Sequence, residues 1–174
     1  MNRLHVHYGD GKGKTTAAMG MILRAAGHGW RVLAAQWMKN GDSGELEALK
    51  RFLQADVLSA PPMAGFTFQM NEAQKREAAR QQEAFALKIM EIIQETKPAL
   101  VVLDELGMAL AAGLVTEKTG RALTDAALNA GETVITGYDV PEWLRERADY
   151  LTLFKAQKHP YQAEGLPARE GIEW

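Results

Sequence analysis

Short apolar runs alternate with longer amphipathic stretches along the whole chain. The apolar runs predict strands at residues 4–8, 31–37, 56–59, 98–105, 132–138 and 150–154. Between them, apolar residues at helical spacing predict helices at residues 16–27, 45–53, 71–97, 108–113, 116–129 and 141–147. This alternation predicts an α/β fold: a doubly wound, mainly parallel sheet with right-handed crossovers and helices on both faces.

A glycine-rich loop follows the first predicted strand and leads into a helical pattern that begins at Lys14 or Thr15. The loop consists of Gly9, Asp10, Gly11, Lys12, Gly13, Lys14, Thr15 and Thr16. Glycines let several backbone N–H groups point at one anion, and the helix N-terminus adds partial positive charge. Lys14 would reach the phosphates, and Thr15 would ligate Mg²⁺. The alternative is a glycine-rich turn with solvated lysines, but the strand–loop–helix context favours a P-loop nucleotide-binding fold.

The spacing of this loop departs from the usual phosphate-binding pattern. That pattern has a glycine five residues before the Gly of Gly-Lys-Thr; here Tyr8 takes that position, and the glycine comes one residue later, at Gly9. The loop is therefore one residue tighter than in ordinary P-loop kinases and ATPases. This weakens an assignment to transfer of the γ-phosphate.

An acidic pair, Asp104 and Glu105, ends the predicted central strand. Because the carboxyl ends of parallel strands line the ligand crevice, we expect these carboxylates beside the phosphate-binding loop. There they would hold Mg²⁺ or position a nucleophile. A helix N-cap at Asp104 with Glu105 in the first turn is the alternative, and the two roles are compatible.

Other segments supply candidates by position. The loop at residues 38–44 leaves the second predicted strand and carries Lys39, Asn40 and Asp42, which would line the crevice or be solvated. Arg24 lies in the last turns of the first predicted helix, where a solvated arginine suits the helix dipole.

Aromatic residues mark two further segments. Phe66 and Phe68 follow a Pro-rich stretch and would share one face if that segment were a strand, which most often means core packing. The tail, residues 155–174, is polar, but Tyr161 and Trp174 predict that it packs on the domain.

Composition restricts the class of protein. A length of 174 residues predicts a single domain, residues 1–174, with a full core. The chain is 47% hydrophobic and 24% charged, as globular proteins are, and its net charge of −2 indicates neither a nucleic-acid nor a membrane partner. No apolar run reaches transmembrane length, no signal-peptide pattern is present and cysteine is absent. We therefore expect a cytoplasmic protein whose metal ligands are oxygen or nitrogen atoms.

Several segments together form a more specific combination than any of them alone. They are the short loop at residues 9–18, residues 24–29, Gly65-Phe66-Thr67, residues 102–105, Thr136-Gly137, and the tail segments 158–161 and 168–173. With this combination the chain resembles the P-loop type of ATP:corrinoid adenosyltransferases, enzymes of cobalamin synthesis and salvage. The resemblance runs from the first strand to the last residue.

This resemblance implies an activity and a set of site residues. The cobalt(I) of a reduced corrinoid would attack the 5′ carbon of ATP and release the whole triphosphate, in adenosylcobalamin synthesis or salvage. ATP would lie across residues 9–16 in the reverse direction to that in kinases, with Lys14 as the principal charge. Thr15 would share Mg²⁺ with Asp104 or Glu105, so the implied catalytic residues are Lys14, Thr15 and Glu105.

The resemblance also implies roles outside the loop. Arg24 matches a family arginine near the nucleotide. Phe66 and Phe68 match aromatic residues that lie over the corrin and help to expel its lower axial ligand, although Phe68 replaces a tryptophan. Tyr138 stands where an arginine commonly follows Thr-Gly. Residues 1–3 would not supply the N-terminal lid of some members, and the C-terminal tail is a candidate substitute. The implied partners are a flavin-dependent electron donor and a second copy in a homodimer.

Two other functions are compatible with the residues. A P-loop kinase or ATPase would act on the γ-phosphate and release ADP, and would want a full-length loop and a base for the attacking group. A nucleotide-dependent switch would bind ATP without turnover, even with reduced corrinoid present.

Overall fold

Six strands form one sheet in the computed structural model, which describes residues 1–39, 43–52, 55–65 and 67–173. The strands are β1 (Leu4–Tyr8), β2 (Val32–Gln36), β3 (Ala55–Ser59), β4 (Leu100–Asp104), β5 (Glu132–Gly137) and β6 (Tyr150–Leu153). Their order across the sheet is β3-β2-β4-β5-β1-β6, and every pairing between them is parallel. The predicted α/β sheet is confirmed.

Helices cover both faces of this sheet. They are α1 (Lys14–Gly27), α2 (Gly44–Phe52), α3 (Glu72–Thr96), α4 (Leu106–Ala111), α5 (Glu117–Ala130), α6 (Glu142–Arg147) and α7 (Pro160–Glu164). Apolar residues of α1 and α2 pack on one face, and those of α3, α4, α5 and α6 pack on the other. Both faces of the central strands are therefore dry, which is why β4 reads as a continuous apolar run.

Alternation within β4 assigns its side chains to the two cores. Val101 and Leu103 belong to the core under α3 and α5, whereas Leu100 and Val102 belong to the core under α1 and α2. All of them are buried. Because β4 lies between β2 and β5, its last residue emerges in the middle of the carboxyl edge of the sheet.

The long helix α3 begins with a capping box. The Asn71 side chain accepts from the Gln74 N–H at 2.9 Å, and the Gln74 side chain accepts from the Asn71 N–H at 2.9 Å. The helical spacing within residues 71–97 predicts that Leu87 lies on the buried face with Phe85 and Ile89, but Leu87 is 48% exposed. Phe85 and Ile89 are one helical turn apart on the buried face, and Leu87, midway between them, points away from it.

Three other local predictions need correction. The helix predicted at residues 141–147 begins one residue later, at Glu142, with Pro141 as its N-cap. Residues Thr67–Gln69 form a 3₁₀ helix, so the strand considered for this segment is not formed there. Phe66 and the side chain of Phe68 lie outside the described part of the chain. The tail does not pack through Tyr161, which is 66% exposed; Trp174 also lies outside the described residues.

Across the described ranges, no helix is both long enough and apolar enough to cross a membrane.

Candidate active site

The glycine-rich loop lies at the carboxyl edge of the sheet and is fastened to neighbouring strand exits. The Gly9 N–H donates to the Tyr138 carbonyl at 3.1 Å, and the Gly11 N–H donates to the Phe154 carbonyl at 2.8 Å. A Cβ on Gly9 would lie 2.3 Å from the Phe154 oxygen, and one on Gly11 would lie 2.7 Å from the Phe154 carbonyl carbon. Gly9 also has a φ of 113°. Only glycine permits this close docking.

These contacts divide the loop into an anchoring half and an open half. Phosphate contacts through the N–H groups of Gly9 and Gly11 are not available in this conformation, because both already donate to protein carbonyls. The N–H groups of residues 12–16 have no backbone acceptor within the described ranges. They belong to the N-terminal turn of α1 and the residues before it, which form a ready anion site.

Lys14 lies inside the loop. Its Nζ donates to the carbonyls of Gly9 at 2.6 Å and Gly11 at 2.8 Å. Burial lowers the pKa of Lys14, while the nearby carboxylates of Glu105, Asp10 and Asp104 act in the opposite direction. An ammonium has three donors, so Lys14 can keep both carbonyls and still donate to a phosphate.

Asp104 is the centre of the polar cluster at this edge. Its carboxylate is fully buried. Oδ1 accepts from the Thr15 hydroxyl at 2.8 Å and from the Thr136 hydroxyl at 2.7 Å. Oδ2 accepts from Gln36 Nε2 at 2.9 Å and from Lys39 Nζ at 2.8 Å. Adjacent strands β2, β4 and β5 thus bring Gln36, Asp104 and Thr136 to one point, and the glycine-rich loop adds Thr15.

The protonation state of Asp104 follows from this environment. Burial alone would raise the pKa of the carboxyl, but the charge of Lys39 and hydrogen bonds from Lys39, Thr136 and Gln36 outweigh it. The pKa of Asp104 is therefore held below its ordinary value, and the group is a carboxylate at neutral pH. With its oxygens occupied and its pKa low, Asp104 is poorly suited to accept a proton from an attacking group.

Glu105 has a different environment from its neighbour. It is the N-cap of α4 with a φ of 59°, so the cap predicted at Asp104 lies one residue later. Its backbone N–H donates to the Thr136 hydroxyl oxygen at 2.9 Å. Burial and then the charge of Asp104 raise the pKa of the Glu105 carboxyl. Of the two acidic residues, Asp104 is the one bonded to Thr15.

The cluster fits the magnesium ion that the sequence implies. Mg²⁺ prefers oxygen ligands, and Thr15 Oγ1 and the Asp104 carboxylate supply them. The ammonium of Lys39 lies 3.0 Å from Thr15 Oγ1 and 2.8 Å from Asp104 Oδ2, so these oxygens already converge on a positive charge. Within the described ranges there is no group of three or more His, Cys, Asp or Glu residues that could hold a metal. Mg²⁺ commonly keeps few protein ligands and takes the rest from phosphates and water.

Other predicted residues lie elsewhere. Arg24 is exposed and lies about 15 Å along α1 from Lys14 at 1.5 Å per residue. It lines a cleft at the opposite edge of the sheet with Met21, Ala25, His28, Trp30, Leu100 and Glu132. Within one chain, Arg24 is therefore not brought to the loop. Asn40 and Asp42 lie outside the described residues.

The C-terminal tail contacts the loop through polar groups. Lys12 Nζ lies 2.7 Å from Glu173 Oε1. The Asp10 carboxylate accepts from the Ala156 N–H at 3.0 Å. Two predicted nucleotide-binding residues, Lys12 and Asp10, are thus engaged by the tail, which runs past the mouth of the site.

Gln36 and the hydroxyl of Thr136 were not predicted as site residues. Gln36 is fully buried, and its Oε1 has no hydrogen-bond partner in the part of the chain that the structure describes. The sequence signal for both is similar: a polar residue at or next to the carboxyl end of a buried strand. That position sends the side chain to the edge where the loop lies.

Comparisons with known proteins point to one family. The family described as ATP:corrinoid adenosyltransferase BtuR/CobO/CobP matches residues 1–174. A corrinoid adenosyltransferase of Pseudomonas aeruginosa is 34% identical over 173 residues, covering 98% of this chain and 83% of that protein. Those of a Sinorhizobium species and Escherichia coli K12 are each 31% identical, and the alignments cover 97% of this chain and 78% and 84% of the relatives. Among solved structures, a DNA replication initiation factor aligns with 98% of this chain and 48% of its own, at a TM-score of 0.45 and 14% identity. This similarity is too low to support an inference about fold or function.

Proposed function

The chain belongs to the ATP:corrinoid adenosyltransferase family, and we propose that it joins the 5′-deoxyadenosyl group of ATP to the cobalt(I) of a corrinoid and releases tripolyphosphate. The cobalt donates the electron pair of the new cobalt–carbon bond and goes formally from cobalt(I) to cobalt(III). The C5′–O bond breaks, and its electron pair leaves with the triphosphate. This reaction would serve adenosylcobalamin synthesis or salvage.

The observation that carries the proposal is the state of Asp104. This carboxylate is held ionised and accepts hydrogen bonds from Thr15, Thr136, Gln36 and Lys39. It is therefore better suited to bind a cation than to act as a general base. A kinase needs a group that accepts or orients the proton of the attacking hydroxyl. Cobalt(I) carries no such proton, so adenosyl transfer asks the protein only to orient ATP and to stabilise the leaving group.

Each element of the site then has a role in holding the triphosphate. The N–H groups of residues 12–16 would donate hydrogen bonds to its oxygens, and Lys14 would add its charge. Thr15 and Asp104 would hold the magnesium ion, with Glu105 next to them. When bound with ATP, Mg²⁺ would neutralise part of the charge that gathers on the departing triphosphate. Anchoring of Gly9 and Gly11 to strand exits keeps the loop rigid while the charge moves.

The aromatic segment would act on the corrinoid before transfer. Phe66 and Phe68 would lie over the corrin and expel its lower axial ligand, which makes cobalt(II) easier to reduce. A flavin-dependent electron donor would supply the electron. Family resemblance also supports a homodimer, a single domain over residues 1–174 and a cytoplasmic location; light scattering on the purified protein tests the dimer.

The decisive experiment is anaerobic. Protein, MgATP and chemically reduced cobalt(I) corrinoid are followed by visible absorbance, and the phosphate products are separated. We expect the cobalt(I) spectrum to give way to a light-sensitive alkylcorrinoid with tripolyphosphate and no ADP, and we expect a chelator to stop the reaction until Mg²⁺ is restored. An unchanged corrinoid with accumulating ADP would mean action on the γ-phosphate, and ATP binding with no product would mean a switch.

Two variants separate the parts of the proposal. Lys14→Ala should abolish turnover, whereas Lys50→Ala, which removes an exposed lysine paired with Glu47 on α2, should leave it unchanged. Phe68→Ala should slow the reaction that starts from cobalt(II) and spare the one that starts from cobalt(I). Equal damage to both reactions would contradict the ligand-expulsion role.

A further inference from the structure

Lys39 lies in a loop, yet both its backbone position and its side-chain contacts are well defined. It lies in the loop after β2 and immediately follows Met38, which adopts a left-handed φ of 58°. For a residue with a long side chain this backbone conformation is strained and persists only where the surroundings hold it. The strained exit presents Lys39 to Thr15 Oγ1 at 3.0 Å and to Asp104 Oδ2 at 2.8 Å.

We propose that Lys39 is an internal counter-cation, which occupies the Thr15–Asp104 cation position in the nucleotide-free protein and yields it to Mg²⁺ when the metal arrives with ATP. The inference rests on the magnesium site of the proposed function. It concerns metal binding alone and needs no adenosyl transfer.

Electrostatics explain why such a group is useful. Asp104 is fully buried, and an unpaired buried carboxylate is costly, so without a bound metal ion its charge needs a cationic partner from the protein. Lys39 supplies that charge. Because the ammonium and Mg²⁺ would share the same two oxygens, both cannot be there at once, and free Mg²⁺ must displace the lysine.

ATP would change the balance. The Lys39 side chain is 35% exposed, so its flexible stem has room to turn outward. With a triphosphate on the adjacent loop, the ammonium gains a new anionic partner and Mg²⁺ gains phosphate ligands. Lys39 therefore makes metal binding depend on nucleotide. By linkage, metal and nucleotide raise each other's affinity by the same factor.

The test measures Mn²⁺ binding in the absence of nucleotide, with the electron paramagnetic resonance signal of free Mn²⁺ as the probe. In Lys39→Met and Lys39→Gln we expect nucleotide-free Mn²⁺ to bind at least tenfold more tightly than in the wild type. Lys39→Gln keeps an N–H donor for Asp104 and guards against loss of folding in Lys39→Met. Lys39→Arg keeps the charge and should bind Mn²⁺ as weakly as the wild type.

A control variant removes a lysine charge away from the cluster. Lys50 is exposed on α2 and pairs with Glu47, so Lys50→Met should leave nucleotide-free Mn²⁺ affinity unchanged. A second readout is thermal unfolding: Mg²⁺ without nucleotide should raise the melting temperature of Lys39→Gln and leave that of the wild type unchanged.

The possible failures are distinguishable. If the wild type binds Mn²⁺ with ATP but folded Lys39→Gln gains no nucleotide-free affinity, Lys39 is only a structural ion-pair partner and the inference is overturned. An equal gain in Lys50→Met would also overturn it, because general electrostatics would then explain the effect. If the wild type binds no Mn²⁺ even with ATP, the magnesium site of the proposed function fails, and the inference fails with it.

Discussion

Replacing Thr136 by valine tests the buried network around Asp104 directly. The Thr136 hydroxyl donates to Asp104 Oδ1 at 2.7 Å and accepts from the Glu105 N–H at 2.9 Å. Valine has nearly the same shape, so Thr136→Val leaves no cavity and removes only these two hydrogen bonds. Because the hydroxyl is both donor and acceptor, the substitution leaves the Glu105 N–H without its acceptor and removes one donor from Asp104 Oδ1.

The magnitude follows from the two groups. Loss of a hydrogen bond to a charged group costs about 1.5–3 kcal/mol, and an orphaned buried N–H costs about 1–3 kcal/mol. Asp104 keeps its hydrogen bonds from Thr15, Gln36 and Lys39, which places the total near the lower end. We expect the free energy of unfolding to fall by about 3 kcal/mol. With a urea m-value of about 2 kcal/mol per molar, the unfolding midpoint would fall by about 1.5 M.

The same strand offers a matched control. Thr133 is also a fully buried threonine of β5, but among the described residues its hydroxyl donates only to the Gly131 carbonyl, at 3.2 Å. Thr133→Val should therefore cost about 1 kcal/mol or less. Urea unfolding of wild type and both variants, followed by circular dichroism with the m-value checked, gives the comparison. Equal midpoint shifts for the two variants would refute the network argument, because burial of a threonine on β5 would then explain both.

Three further predictions follow from other elements. Gly11→Ala puts a Cβ 2.7 Å from the backbone after β6 and should weaken ATP binding at least tenfold by calorimetry, whereas Gly20→Ala meets nothing within 4 Å, should keep the affinity, and should add up to about 1 kcal/mol of stability. Asn71→Ala removes the cap of α3 and should cost about 1 kcal/mol, or about 2–4 °C in melting temperature, with adenosyl transfer intact; unchanged melting would contradict the cap's role. Hydrogen bonds from the Leu4 N–H and from the Arg3 side chain hold the pKa of Asp149 below its ordinary 3.8. The carboxylate therefore stabilises the fold above about pH 4, and this contribution is lost as pH falls through the lowered pKa. Asp149→Asn should flatten the acid limb of the stability–pH curve in urea unfolding, and an identical limb would count against this assignment.

Much of the fold could be predicted from the sequence because its signals are local. Apolar runs of strand length, helical spacing and the Gly-Lys-Thr loop each depend on neighbouring residues, and the structure confirms every predicted strand and helix to within a few residues. The sequence-based predictions were wrong where the local pattern is a poor guide to burial. Leu87 is apolar yet off the buried stripe of α3, and Tyr161 is aromatic yet exposed.

The loop shows where local reasoning reached its limit. The sequence identified Gly9 and Gly11 as glycines that a phosphate site requires. Their close approach to the chain after β6 depends on β6 lying beside β1, and no local pattern contains that neighbour relation. Because the N–H groups of Gly9 and Gly11 donate to carbonyls of the protein, the half of the loop with unpaired N–H groups in the described structure begins only at residue 12.

The sequence by itself determined the glycine-rich loop between β1 and α1, the acidic pair at the end of β4 and the alternation that builds a parallel sheet. Only the tertiary structure decided which carboxylate meets Thr15, and that Gln36, Lys39 and Thr136 join it. The physical reason is the strand order. Because β4 lies between β2 and β5, side chains that are distant in the chain meet at the buried Asp104 carboxylate. A buried charge needs partners, and the residues at the ends of these neighbouring strands supply them.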